Sequence, residues 1–112
     1  MKQELFEHNS KEYIILIGQN KYDNFDLINS SNTTDIWFHV EGIPSCHVIL
    51  KTNEKIRDIP QRVIKRCAYL CKINSKAKTF KVCNIAYTTI NNVTNTNIIG
   101  QVEVSSCKII CI

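Results

Sequence analysis

The stretch RDIPQRVIKRCAYLCKINSKAK, residues 57–78, is the one segment whose apolar residues recur at helical rather than strand spacing. At about 100° per residue with Arg62 as zero, Val63, Ile64, Cys67, Ala68, Leu70 and Cys71 fall between roughly 80° and 240°. On the same wheel Arg62, Lys65, Arg66, Tyr69, Lys72 and, if the helix continues, Lys76 fall between roughly 280° and 40°. The two arcs do not overlap. A helix with so wide an apolar stripe must lay it against another element, which leaves a face of cations and one aromatic ring turned outward. Asp58 is the predicted cap, and Pro60 sits in the first turn, where its missing N–H costs little.

The flanking segments say what that stripe covers. EYIILIG reads as a strand over residues 13–17 that ends at Gly18, followed by GQNKYDN as a turn and NSSNTT as a loop. DIWFHV and CHVIL read as two strands separated by the Gly-Ile-Pro break. KVCNIAYTTI, IIGQVEV and CKIICI have strand composition, with loop chemistry in NNVTNTN and SS between them. Strands on both sides of one amphipathic helix predict an α+β domain: a mostly antiparallel sheet with one main helix packed on a face. A chain of 112 residues fits a single domain.

Charge is distributed unevenly. Residues 1–58 hold six Lys/Arg against nine Asp/Glu, whereas residues 59–102 hold seven basic side chains and no acidic one. An acid-free basic block favours polyanions such as RNA, DNA or an anionic membrane surface, the bland alternative being a solvated helix face. No apolar run reaches the roughly 18–20 residues of a membrane helix, and MKQELFEHNSKEY is too polar for a secretory signal. A cytoplasmic location follows as the expectation, with the six cysteines reduced and no membrane partner.

Two chemistries can be drawn and are disfavoured by pattern. Cys67, Cys71, Cys107 and Cys111 could supply four thiolates to zinc, but the first two sit in the apolar arc, and alternation in CKIICI gives the last two one strand face as small buried hydrophobes. Cys46 beside His47 suggests a thiol–imidazole pair, yet adjacent strand residues point to opposite faces. No metal, cofactor or catalytic residue is therefore assigned. The same alternation puts Trp37 and His39 on one face against Ile36, Phe38 and Val40. His47 and Ile49 likewise oppose Val48 and Leu50. If the two strands pair, Trp37, His39 and His47 share a face, as an aromatic recognition surface or as a polar-tipped packing layer.

GQNKYDN, DIWFHVEGIPSCHVIL, DIPQRVIKRCAYLCKINSK, NIAYT and IGQV, in this order and spacing, resemble the NFACT-R family, the RNA-binding module of ribosome-associated quality-control proteins. The resemblance covers about residues 13–112, which makes residues 1–12 an N-terminal extension, and it implies an α+β domain without catalytic chemistry that works with ribosomes, tRNA or other nucleic acid. By position, Asp35, Trp37, His39 and His47 fill the family's Asp-x-Trp-x-His and Ser-His-Val places. Gly18, Asn20 and Asn24 fill its early Gly-x-Asn turn, Asn74-Ser75-Lys76 the end of the helix, and Tyr87-Thr88 the Tyr-Thr pair. The chain departs from the pattern at Pro44-Ser45-Cys46-His47, where many members have Pro-Gly-Ser-His, and at TINNVTN, which replaces a Lys-Lys-Pro and removes cations.

Together these readings predict a stand-alone nucleic-acid-binding domain, with RNA (tRNA or rRNA) preferred over DNA. Arg62, Lys65, Arg66, Lys72, Lys76 and Lys78 are expected on phosphates, and Trp37, His39 and Tyr69 on bases or sugar. His47, Asn74 and Ser75 belong to the same expected site, and Gly18, Asn20 and Lys21 are possible turn contacts. The alternatives are a protein-interaction module that docks on a ribosomal or other partner through the sheet edge, or a DNA-binding sensor-like domain.

Overall fold

The computed structural model describes all 112 residues. Two strands open the chain, β1 (Lys2–His8) and the isoleucine-rich β2 (Lys11–Ile17), paired antiparallel around Asn9-Ser10. Both turn residues have positive φ, 52° and 62°, the geometry that matches the twist of a two-residue hairpin. Residues 1–12, expected as an N-terminal extension, thus supply the outer strand of the sheet and its turn. There follow α1 (Lys21–Ser30), β3 (Ile36–Val40), β4 (Val48–Lys51), α2 (Gln61–Ile73), β5 (Asn84–Thr89), β6 (Val93–Asn95), β7 (Val102–Val104) and β8 (Lys108–Cys111). Six strands form one sheet in the order β1-β2-β4-β3-β5-β8, antiparallel at every pairing, and β6 and β7 form a separate hairpin. This is the predicted α+β class.

Helix α2 buries the six residues that its wheel placed in the apolar arc. They pack on Ile15, Ile17, Ile36, Phe38, Val40, Val48, Leu50 and Ile85, the residues of β2, β3, β4 and β5 that point to that side. The expected cap is corrected: Pro60 stands at the N-cap with no side-chain bond, and Asp58 lies in the short 3-10 turn Ile56–Asp58 before it. The helix ends at Ile73, where Asn74 Nδ2 donates to the Leu70 carbonyl at 2.8 Å. Lys76 and Lys78 therefore belong to the 3-10 turn Lys76–Thr79 and not to the helix wheel.

The other face of the sheet has its own cover. GQNKYDN, expected as a turn, opens α1: Asn20 accepts hydrogen bonds from the Tyr22 and Asp23 amides at 3.0 and 2.9 Å, which satisfies donors that a helix start leaves bare. Leu27 and Ile28 of α1 join Trp37, Ile49, Ala86, Ile90 and Val93 in a second core. Only Asn24, Leu27 and Ile28 of this helix are buried, so it carries no broad apolar stripe for sequence periodicity to detect. Cys107 and Cys111, expected as small buried hydrophobes, are exposed, because β8 is the edge of the sheet. No helix is long and apolar enough to cross a membrane.

Asp35 ties the layers at the start of β3. It is 1% exposed, accepts from the Asn32 and Thr52 amides at 2.8 and 3.0 Å, and forms an ion pair with Lys51. Asp35→Ala strands two amides and a half-buried ammonium, so it should cost about 3 kcal/mol, the low end for a broken buried pair because Lys51 keeps some water. Urea unfolding measures that loss, and a midpoint within error of the parent would contradict it.

Candidate functional site

At one end of the sheet three segments distant in sequence are held together by backbone bonds. The Gly18 amide donates to the His47 carbonyl at 2.9 Å, and the His47 amide donates to Asn24 Oδ1 at 3.1 Å. A Cβ on Gly18 would lie 2.1 Å from that same Asn24 oxygen, so the position has no room for a side chain. Ser45 pairs with Ser75 as an isolated antiparallel bridge, which joins the loop before β4 to the end of α2. Ser75 Oγ accepts from the Ala77 amide and donates to the Lys72 carbonyl, and so shapes the turn after the helix.

These segments border an open groove of about 520 Å³. Gly18 to Lys21 and Asn24 line it from the β2–α1 turn, Pro44 to Cys46 from the loop, and Asn74 to Lys76 from the end of α2. Lys21 and Lys76 are its charged lining residues, the Lys21 ammonium standing 5.3 Å from the Tyr22 ring centre; no Asp or Glu lines it, although Asp23 accepts from the Gln19 amide at 3.0 Å from outside the lining. Asn20 and Asn24 commit their side-chain oxygens to backbone amides, so what they have left for a ligand is NH₂ donors. A ligand rich in anionic oxygen suits such a lining.

A second groove, about 480 Å³, adjoins the first through Pro44 and Ser45. Trp37, His39 and His47 line one side of it, and Gly100, Gln101, Val102 and Val104 the other. Gly100 has φ +88°, and a Cβ there would lie 2.7 Å from Lys21 Cβ, so this turn closes directly on the start of α1. The three rings do share a face. Trp37 and His39 stack at 5.6 Å with 9° between planes, and His47 meets both edge-on at 5.6 and 5.2 Å. Trp37 is 3% exposed and His47 2%, so the packing-layer reading holds for these two, and neither offers a base a free face. Half-buried His39 donates from Nδ1 to the Val40 carbonyl at 2.6 Å, which leaves Nε2 as the acceptor of the ring. Trp37 Nε1 and His47 Nδ1 are buried without partners.

Gly18, Asn20, Lys21, Asn74, Ser75 and Lys76 thus meet in one groove, and Trp37, His39 and His47 in the next. The outer face of α2 does not join them. The helix covers the Phe38 side of the sheet with its apolar face, opposite the Trp37 side, so its outer face turns away from both grooves, and Arg62 stands about 18 Å along the helix from Asn74. Arg66, expected on a phosphate, is held by Glu4 through two bonds of 2.6 and 2.7 Å and lies 5.6 Å from the Tyr69 ring centre. The Arg66 guanidinium beside Glu4 holds its carboxyl below the ordinary value. Tyr69, expected to stack on a base, is 45% exposed with that guanidinium over its ring. Lys72 donates to the Lys81 and Ile112 carbonyls at 3.4 and 3.2 Å. Arg62, Lys65 and Lys78 remain exposed, away from both groove linings.

Pro44, Ser45, Gly100 and Gln101 were not singled out as site residues; for the last two, the signal available was the IGQV motif. Asp35 and Thr88, carried over from the family pattern, are buried: Asp35 in its ion pair, Thr88 accepting from Asn92 Nδ2 at 2.9 Å. Tyr87 stacks on Phe38 at 5.5 Å, on the α2 side. The drawn zinc ligands lie apart, Cys67 and Cys71 inside under α2 and Cys107 and Cys111 outside, and no three His, Cys, Asp or Glu side chains converge as metal ligands. Cys46 points toward Cys71, while His47 stacks among the rings of the opposite face.

The profile of the NFACT protein RNA binding domain matches residues 2–106. Bovine coiled-coil domain-containing protein 25 is 43% identical over 91 residues, which cover 79% of this chain and 44% of that protein. The Rqc2 homologue RqcH of Bacillus subtilis is 31% identical over 84 residues, 74% of this chain and 14% of that protein. The chain therefore spans less than half the length of these relatives. The C-terminal part of the fibronectin/fibrinogen-binding protein from Streptococcus suis superposes on the whole chain with a TM-score of 0.85 at 23% identity, over 45% of that structure, and has the same fold.

Burial, reinforced by the neighbouring His39, pushes His47 down to about 3 from 6.5. Below pH 6.5 the unfolded chain takes up a proton on this ring that the folded chain refuses. The stability it contributes is thus complete above 6.5 and declines as pH falls toward 3, by on the order of 3 kcal/mol at pH 4. Urea unfolding at stepped pH should show that slope in the parent and a shallower one in His47→Phe; equal slopes would contradict it.

Proposed function

This chain belongs to the NFACT RNA-binding-domain family, and on that premise we propose that it binds RNA through the acid-free groove between the β2–α1 turn and the end of α2. The observation that carries this reading is the convergence of Lys21, Lys76 and the amide-bearing Asn20, Asn24 and Asn74 on one lining without a carboxylate. Lys21 and Lys76 neutralise backbone phosphates, and the amides and Ser75 hydrogen-bond phosphate or ribose oxygens. His39 Nε2 and Gln101, in the adjoining groove, meet the edge of a base, while Trp37 and His47 support them from beneath. Arg62, Lys65 and Lys78 add to the positive field that draws a polyanion in, without touching it at the groove. The reading is one of binding without catalysis. Family membership favours tRNA or rRNA as the ligand and a cytoplasmic, ribosome-linked setting.

Anisotropy of a labelled single-stranded RNA tests this. Affinity should fall steeply with salt, and Lys21→Glu with Lys76→Glu should weaken it about tenfold or more, whereas Arg62→Glu with Lys65→Glu should cost about two- to threefold. A flat salt response, or the larger loss in the helix pair, would refute the groove. Capture of a protein partner that survives nuclease treatment, with no RNA affinity, would support docking through the sheet edge instead.

A further inference from the structure

Two thiols meet where the loop that borders both grooves packs on α2. Cys46 precedes β4 in the loop bordering the first groove, and Cys71 lies in the last turns of α2. Cys46 Sγ is 4.0 Å from the Cys71 carbonyl oxygen, and Cys71 Sγ is 3.6 Å from the Cys46 carbonyl oxygen and 3.7 Å from Ser45 Oγ. This reciprocal placement sets each sulfur against the other residue's backbone carbonyl across the loop–helix contact. The neighbouring Cys71 thiol holds Cys46 below the ordinary thiol value against the opposing effect of burial, and Cys46 together with burial pushes Cys71 up. One sulfur is therefore biased toward thiolate and half-exposed at a groove, and the other is a fully buried thiol beside it.

No other cysteine has this arrangement. Cys67 is enclosed in the core, and the partly buried Cys83 sits at the sheet edge with its backbone bonded to Ile112, near Cys111 and outside both groove linings, its thiol pushed up by burial. Cys107 and Cys111 are exposed but four residues apart along extended chain, about 13 Å, too far to bond to each other.

We propose that Cys46 and Cys71 are an oxidisable dithiol, a modification site for hydroperoxides, whose intramolecular disulfide fastens the groove wall to α2. The Cys46 thiolate attacks one peroxide oxygen; the S–O bond forms, the O–O bond breaks, and the other oxygen leaves as hydroxide or alkoxide and takes up a proton. The Cys71 sulfur then gives up its proton and attacks the Cys46 sulfenic acid. The S–S bond forms, the S–O bond breaks and water leaves. Two thiols lose two protons and two electrons, and the peroxide is reduced to water and an alcohol, or to two waters. Because a disulfide bond of about 2 Å is shorter than any non-bonded sulfur contact, oxidation draws the loop toward the helix and shifts Pro44 and Ser45, which line both grooves.

The test uses the chain with Cys83→Ser, Cys107→Ser and Cys111→Ser, so that the other accessible thiols do not react, and hydrogen peroxide as the probe. Expected are a loss of about 2 Da, a peptide cross-link between positions 46 and 71, and a melting midpoint raised by about 5 °C and restored by dithiothreitol. Adding Cys71→Ala should leave Cys46 as a sulfenic acid that dimedone traps. An unchanged mass, or Cys46 over-oxidised to sulfinic acid while Cys71 stays free, overturns the proposal. None of these readouts involves nucleic acid, so their failure leaves the RNA reading standing, and failure of RNA binding leaves the dithiol standing.

Discussion

The pleat of the two central strands governs this molecule. Successive residues of β3 and β4 point to opposite sides, and both sides are apolar: Ile36, Phe38, Val40, Val48 and Leu50 face one way, Trp37 and Ile49 the other. A sheet of this kind must be covered twice. Helix α2 supplies one cover with a full apolar stripe, and α1 with the β6–β7 hairpin supplies the second from smaller pieces. The division into two layers also decides which charged and aromatic groups can act together. Cations on the outer side of α2 lie on the far side of the sheet from the ring cluster.

The groove at the end of the sheet is a consequence of that covering. Chain leaving β2 must turn at once to start α1, chain entering β4 must pass beneath it, and the end of α2 must return toward β5. The three passages meet where Gly18, His47 and Asn24 exchange hydrogen bonds. Backbone amides satisfied there by side-chain oxygens leave a lining of donors, and the only charges in it are two ammonium groups. Nothing in the pair Lys21 and Lys76, 55 residues apart, announces it. In the loop between this groove and the next, Cys46 meets a thiol in α2 that only the packing of helix on loop brings near.

Patterns set by local geometry were readable from the residues. The inner face of α2 and the common face of Trp37, His39 and His47 follow from helical and strand periods, because a buried stripe imposes its period on the sequence. Helix α1 was not readable, since it turns three residues inward and depends on the Asn20 cap, which looks like turn chemistry in isolation. The role of Arg66 was also out of reach. An acid-free stretch of chain is not an acid-free surface, and Glu4 comes from the edge strand 62 residues away to hold it.

The amino-acid order alone determined that an amphipathic helix would lie on an alternating antiparallel sheet, because short-range periodicity is enforced by burial within each element. Which cations stay free, which rings stay uncovered and which thiols become neighbours was decided only when the layers closed. Those properties depend on distances between residues tens of positions apart, and no local period encodes them.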